Sequence, residues 1–142
     1  MKLEQAFSAK PLDESSFYGA SPTPRKTRPN DVKFHVGELV VDLEKRNIYV
    51  VMGWDHRPQA PTDFLPSLNL KKGQEQPFYR LLPFKEDSTT YLYRAQEALR
   101  LETLPETKQE PNYNPKLRRY FSAFDGTIFI ANEELRQIYP FG

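Results

Sequence analysis

The sequence predicts a small, mainly β domain: an antiparallel barrel with one or two short C-terminal helices. Three observations predict it, namely short apolar runs with strand patterning, turn-forming residues between them, and 13 prolines that interrupt any long helix. A parallel α/β sheet is excluded because no crossover helix of adequate length is present. Aromatic residues make up 13% of the chain, too large a share for a disordered protein.

Composition divides the chain at residue 32. Residues 1–31 are rich in proline and short polar residues, so they are expected to form a flexible tail or linker, with residues 32–142 as the β domain. Within the tail, residues 21–29 combine Ser-Pro and Thr-Pro dipeptides with three basic residues. That stretch is either a solvated linker or a phosphorylation-controlled or nuclear-targeting segment.

Six β-strands follow from the apolar pattern, each bounded by turn residues. They are expected at residues 34–43, 47–54, 77–84, 89–94, 98–104 and 127–130. The second gives the clearest signal, because Ile48, Val50, Met52 and Trp54 recur at period 2 and should share one face. Polar residues between the first two strands, and again between the third and fourth, predict hairpin turns.

Two short helices are expected near the C-terminus. The first begins at Asn114 and Pro115, an N-cap followed by a first-turn proline. Its apolar residues fall at helical spacing: Leu117, Tyr120, Phe121 and Phe124. The second helix is expected over residues 133–139, capped by Asn132. Between strands two and three, residues 55–75 form a long loop that is either functional or a tolerated surface insertion.

Charge and composition exclude several classes of function. Twenty basic residues against 19 acidic ones give no basic excess, which argues against a domain held to DNA mainly by counterion release. The absence of cysteine excludes disulfides, thiol catalysis and Cys-type zinc sites. No apolar stretch has the length of a membrane span or a secretory signal, so the expected location is intracellular, in cytoplasm or nucleus.

The residues for catalysis are scarce. His35 is expected to be solvated or paired across strands, whereas His56 either closes a turn after Asp55 or forms a small metal or acid/base site with Asp63. Phosphate-binding glycine loops, nucleophile elbows and calcium loops are all missing from the sequence. We therefore expect no catalytic residue, no metal and no cofactor.

Aromatic residues are the best candidates for binding. A barrel of this size cannot bury all nineteen rings, so some of them either line a groove for peptides or complete two layers of core. The expected groove lies beside the 55–75 loop, and its partner-binding residues are Trp54, Asp55, Tyr79, Tyr91 and Tyr93.

Clustered basic residues indicate an alternative function to protein binding, namely the binding of double-stranded DNA. Lys116, Arg118 and Arg119 project away from the apolar face of the predicted helix, either as a solvated face or as a contact for an acidic partner or phosphate. Arg25 and Lys26 in the tail would add to them.

From residue 32 onward the chain resembles a known family. The matching segments are VKFHVGELV at 32–40, VVMGWD at 50–55, QPFYRLL at 76–82, TYLYRAQEAL at 90–99 and NPKLRRYFSAFDGTIFIANEELRQIYP at 114–140. In order and spacing they resemble the YccV-like domain, also called the hemimethylated-DNA-binding or HspQ-type domain. The segments also resemble the version of this domain at the C-terminal end of a metazoan F-box protein.

The resemblance implies a partly open SH3-like barrel without a catalytic centre, acting as a binding module. It implies a protein partner in protein quality control, namely a protease or ubiquitin-ligase component or one of their substrates, with DNA as the alternative; the oligomeric state is left open. Asp42 and Glu44 stand where the family usually has His and Arg. Two carboxylates on a phosphate-facing loop would repel DNA, which favours a protein partner.

Overall fold

The computed structural model describes residues 21, 23–57, 73, 75–85, 91–103 and 113–142. Most of the predicted 55–75 loop and residues 1–20 of the predicted tail lie outside the described residues. The described residues contain seven strands: β1 Leu39–Asp42, β2 Ile48–Asp55, β3 Phe78–Pro83, β4 Leu92–Ala95, β5 Leu99–Leu101, β6 Phe121–Phe124 and β7 Phe129–Ala131. The helices in this part of the chain are two 3₁₀ helices, Gln96–Ala98 and Pro115–Arg119, and one α-helix, α1, Glu133–Ile138.

The strands form two antiparallel sheets. The larger has the order β4-β3-β2-β1-β5, and the smaller pairs β6 with β7. Asp42 in β1 and Arg94 in β4 approach to 3.6 Å between Oδ2 and Nε although two strands separate them, so the large sheet curls strongly. Within the described residues no ladder joins β4 to β5, and the barrel is open. The predicted mainly β, open-barrel fold with short C-terminal helices is confirmed.

A bulge in β2 changes which residues share a face. The register shifts between Val51 and Gly53, so Met52 is an extra residue in this strand. Val50 pairs with Leu82, whereas Trp54 pairs with Tyr79, three residues earlier in β3 and therefore on the opposite face. The prediction that Ile48, Val50, Met52 and Trp54 share one face is wrong beyond the bulge.

The predicted helix after Asn114 is shorter than expected. Asn114 caps it by accepting a hydrogen bond from the Lys116 backbone N–H, but the 3₁₀ helix ends at Arg119 and the chain continues as β6. A second bulge, between Phe121 and Ala123, lets both Phe121 and Phe124 contact Phe129 on β7. The bulge reproduces the helical i, i+3 spacing in a strand, which explains the wrong prediction.

The remaining elements differ from prediction mainly in length. The first strand begins at Leu39, because the preceding residues run through a turn at Gly37, whose φ is +99°. Gly37 accepts a hydrogen bond from Phe129 N–H and donates to Val51, so it joins the small sheet to β2. The hairpin between β1 and β2 and the capped C-terminal helix are as predicted.

Part of the predicted tail packs against the domain. Ser21 N–H donates to the Tyr139 hydroxyl at 3.0 Å, and Arg25 N–H donates to the Ile138 carbonyl at 2.7 Å. Arg28 donates to the carbonyls of Val32, Phe34 and Gly142. Composition did not reveal this packing, because it depends on single arginines that find acceptors distant in sequence. Among the described ranges, no helix has the length and apolar character of a membrane-crossing segment.

Candidate protein-binding surface

The residues predicted to line an aromatic groove are buried. Their exposed fractions lie between 0% and 6%: Trp54, Asp55, Tyr79, Tyr91 and Tyr93. The sequence left two alternatives for the aromatic rings, an exposed groove or a second layer of core. The four rings in this set belong to the core. Their part in partner binding stays a prediction. Because they are buried, they would act by supporting the surface residues that contact a partner.

Asp55 and Trp54 hold the two ends of the described chain together. Asp55 accepts hydrogen bonds from the Tyr93 hydroxyl at 2.6 Å and from Arg25 Nη2 at 2.7 Å. The Arg25 guanidinium lies 5.1 Å from the Trp54 ring centroid, and the Trp54 indole N–H donates to the Gly142 carbonyl at 3.1 Å. The buried carboxylate thus has a charged and a neutral donor, which offsets the cost of burying it.

Tyr79 anchors the segment that leads into β1. Its hydroxyl donates to Gln96 Oε1 and accepts from the backbone N–H groups of Lys33 and Phe34. Burial raises the pKa of Tyr79 to about 12, so the phenol stays neutral at physiological pH. Its hydrogen bonds therefore hold Lys33 and Phe34 against β3.

A cleft lies between the large sheet and α1. This C-terminal cleft encloses about 210 Å³. It is lined by Ser21, Met52, Arg80, Arg119, Tyr120, Leu135, Ile138 and Tyr139. Asn132 positions the helical wall, because its side chain caps α1 at Leu135 N–H and also donates to the Arg119 carbonyl.

Charge in the C-terminal cleft has one sign. Among the described residues that line it, the two charged ones are both arginines. Arg80 is only 3% exposed, and its guanidinium stacks 4.0 Å from the Tyr91 ring centroid. Tyr91 in turn shares a hydrogen bond with the Tyr120 hydroxyl, so the rings fix the orientation of Arg80. Apolar walls with two guanidinium groups suit an apolar side chain that lies beside a carboxylate.

Sequence reasoning missed Arg80. The available signal was its position in the middle of a strand, PFYRLLPF, that is otherwise apolar. A charged residue in such a run is rarely buried unless other groups pair with it. Arg119 was predicted as a DNA contact, but the structure places it at the cleft, apart from its neighbour Arg118.

The other predicted DNA contacts differ in exposure and in their partners, and their part in DNA binding stays a prediction. Lys116 and Arg118 are exposed on the 3₁₀ helix, and Arg118 lies 5.6 Å from the Tyr113 ring centroid. Lys26 is exposed, whereas Arg25 is only partly exposed and pairs with Asp55.

A second hollow, of about 260 Å³, lies near the β1–β2 turn and carries basic residues that sequence analysis did not single out. It is lined by Arg46, Asn47, Ile48, Tyr49, Pro83 and Lys85. Asn114 connects it to the 3₁₀ helix that bears Lys116, since the Asn114 side chain donates to the Pro83 carbonyl at 3.0 Å. We call the surface formed by Arg46 and Lys85 at this hollow the basic face.

Asp42 does not lie on a phosphate-facing loop. Its side chain is fully buried and faces Arg94, so the expectation that it would repel DNA is wrong, whereas Glu44 is exposed as expected. His56 Nε2 lies 2.8 Å from Asp31 Oδ1, and Asp63, its predicted partner, lies outside the described residues. In the described part of the chain, no three His, Asp or Glu side chains converge to hold a metal ion.

Comparison with known proteins identifies the family. The family described as hemimethylated DNA-binding protein YccV like matches residues 32–128. The chain is similar to F-box only protein 21 of Homo sapiens and of Pongo abelii, each 35% identical over 113 residues, and of Mus musculus, 36% identical over 115 residues. Each alignment covers 78% of this chain and 17% of the relative.

The chain thus spans less than a fifth of the length of these relatives. No solved structure matches it significantly. The family match extends over most of the β domain, and it agrees with the resemblance seen in the strand and C-terminal segments. The chain therefore belongs to the YccV-like, hemimethylated-DNA-binding family.

Proposed function

We propose that this protein is a non-enzymatic binding module that contacts another protein as an adaptor or regulatory domain in proteolysis and protein quality control. Its membership of the YccV-like family and its similarity to proteins named F-box only protein 21 support this role. The partner would be a ubiquitin-ligase or protease component, or a substrate of either. We place it inside the cell, in cytoplasm or nucleus.

The C-terminal cleft is the proposed contact site, and the observation that supports it is its mainly apolar lining with arginine as the charged residue type among the described lining residues. A partner residue such as Leu or Phe would contact Met52, Leu135 and Ile138. A carboxylate beside that residue would accept hydrogen bonds from the exposed guanidinium of Arg119, in a site where partial exclusion of water strengthens the charged contact.

A peptide array tests this proposal directly. The array would carry short peptides with one large apolar residue, with and without a neighbouring Asp or Glu, and with free or amidated carboxyl ends. We expect binding only where an apolar residue and a carboxylate occur together. Amidation identifies a terminal carboxylate as the ligand, and replacement of Asp by Asn identifies a side-chain carboxylate.

Adjacent arginines provide a matched pair of variants. Arg119 lines the cleft, whereas Arg118 does not, and both are exposed on the same 3₁₀ helix. Arg119→Glu should weaken the affinity for the selected peptide roughly tenfold or more, as expected for a charge-assisted contact. Arg118→Glu should leave it nearly unchanged. Equal effects of the two variants, or no peptide selected at all, would contradict the proposed site.

Double-stranded DNA binding is the second candidate, favoured by the family match and by the basic face. It predicts an affinity that falls steeply with salt and depends on phosphate contacts. A gel-shift series across salt concentrations, with hemimethylated and unmethylated duplexes, would test it with the wild type and with Arg46→Glu combined with Lys85→Glu. Binding that is weak, or that the double variant does not change, excludes this role for the basic face.

A further inference from the structure

The N-terminal basic segment, here Ser21 with residues 23–28, is docked on the barrel through Ser21, Arg25 and Arg28, and Arg25 supplies its ion pair. The guanidinium pairs with buried Asp55 and stacks on Trp54, while the Arg25 backbone N–H donates to the carbonyl of Ile138. Asp55 is 1% exposed, so its pairing with Arg25 depends on the segment staying docked. The segment is therefore attached through one ion pair and a few hydrogen bonds, a contact that a nearby change of charge can weaken.

Both Ser/Thr-Pro dipeptides of the whole chain lie in this region. They are Ser21-Pro22 and Thr23-Pro24, and the second is followed directly by Arg25 and Lys26. Proline-directed protein kinases phosphorylate Ser or Thr that precedes Pro. The structure distinguishes the two candidates, because Ser21 is 9% exposed with its hydroxyl donating to the Thr23 carbonyl, whereas Thr23 is exposed.

We propose that Thr23 is a phosphorylation site for a proline-directed kinase and that its phosphorylation releases the N-terminal basic segment from the barrel. In this step the γ-phosphorus of ATP forms a bond to Thr23 Oγ1, and its bond to the β,γ-bridging oxygen breaks. ADP leaves, and the hydroxyl proton passes to solvent. The proposal does not depend on whether the C-terminal cleft binds a partner.

Electrostatics gives the direction of the effect. A phosphothreonine carries a charge of about −1.5 to −2 at neutral pH and three strong acceptor oxygens. It would stand two residues from Arg25, within reach of that long side chain, and would compete with the single charge of Asp55 for the guanidinium. It would also repel the Asp55 carboxylate. Both effects weaken the ion pair that holds the segment.

A single tryptophan makes the release measurable. Trp54 is the only tryptophan in the chain, it is 2% exposed, and Arg25 stacks on its ring. Quenching of its fluorescence by acrylamide therefore reports whether the segment covers it. Arg25→Gln removes the ion pair, so its acrylamide quenching gives the value expected for a released segment. Thr23→Ala is the control, because it cannot be phosphorylated at this position.

The experiment treats the full chain with a proline-directed kinase and MgATP, followed by mass-spectrometric localisation of the phosphate. We expect phosphate on Thr23 before Ser21, and quenching of Trp54 that rises most of the way to the Arg25→Gln value. Hydrogen exchange at the Arg25 amide, which needs no variant, should quicken on phosphorylation even if Arg25→Gln folds poorly. Absence of phosphate on Thr23, earlier modification of Ser21, or complete phosphorylation of Thr23 without change in quenching and exchange would overturn the proposal.

Discussion

At the scale of single residues, burial decides the role of a charged or polar group. Asp42 has the chemistry of a group that repels DNA, yet its carboxylate is enclosed between strands and faces Arg94. Asp55 likewise lies inside the molecule, between Tyr93 and Arg25. Residue type alone could not reveal these roles, because they depend on the curl of the sheet, which brings distant strands together.

Asp42 also gives a stability prediction with a close control. Asp42→Ala would leave the Arg94 guanidinium, whose side chain is 13% exposed, without the carboxylate 3.6 Å away, and should lower the free energy of unfolding by about 1–2 kcal/mol because this ion pair has no hydrogen bond. Glu44→Ala, an exposed change two residues away, should alter it by less than about 0.5 kcal/mol. Urea unfolding of both variants checks this, and a similar small effect of each would show that the pair does not stabilise the barrel.

Tyr79 predicts loss of stability in alkali. Burial raises the pKa of its phenol from 10.0 to about 12, so the unfolded chain releases this proton at lower pH than the native protein. The contribution of the Tyr79 phenol to the free energy of unfolding is complete below pH 10 and is lost as the pH rises to about 12. Urea unfolding across this range should show a falling free energy of unfolding, with a shallower fall in Tyr79→Phe. An equal slope in wild type and variant would contradict the assignment.

At the scale of elements, the sequence predicted six of the seven strands of the described residues, but it missed β6 and both bulges. The alternation of apolar residues with other side chains identified β2. The turn residues after Asp42 predicted the hairpin that joins β1 to β2. The extra residue at Met52 reverses the face of Trp54, and the irregularity in β6 imitates a helical pattern. A bulge leaves no reliable local signal, because it is stabilised by pairing with another strand.

The turn at Gly37 permits a prediction on how the two sheets are joined. A Cβ at Gly37 would lie 2.2 Å from the Phe129 carbonyl oxygen, whereas one at Gly73 would meet no atom within 4 Å. Both glycines have positive φ, so Gly73→Ala measures left-handed strain alone, about 1–2 kcal/mol. Gly37→Ala should cost clearly more, about 3 kcal/mol or above, as judged by thermal or urea unfolding. Equal costs would show that the close contact with β7 is not a constraint.

At the scale of the whole molecule, the sequence indicated a binding module more clearly than it indicated the binding surface. Four aromatic residues and Asp55 were predicted to bind a partner, and all five side chains are buried in the structure. The C-terminal cleft instead combines residues from the N-terminal segment, two strands, a 3₁₀ helix and α1. Its residues come together only in the folded chain, so no motif could have shown them.

Backbone amide NMR of the labelled chain, titrated with the apolar, carboxylate-bearing peptide selected from the array, tests the central claim most directly. We predict saturable shift changes concentrated at Met52, Arg80, Arg119, Leu135 and Ile138, with the basic face undisturbed. Shift changes confined to Arg46, Lys85 and their neighbours, or no saturable change anywhere, would contradict the account of the C-terminal cleft as a protein-binding site.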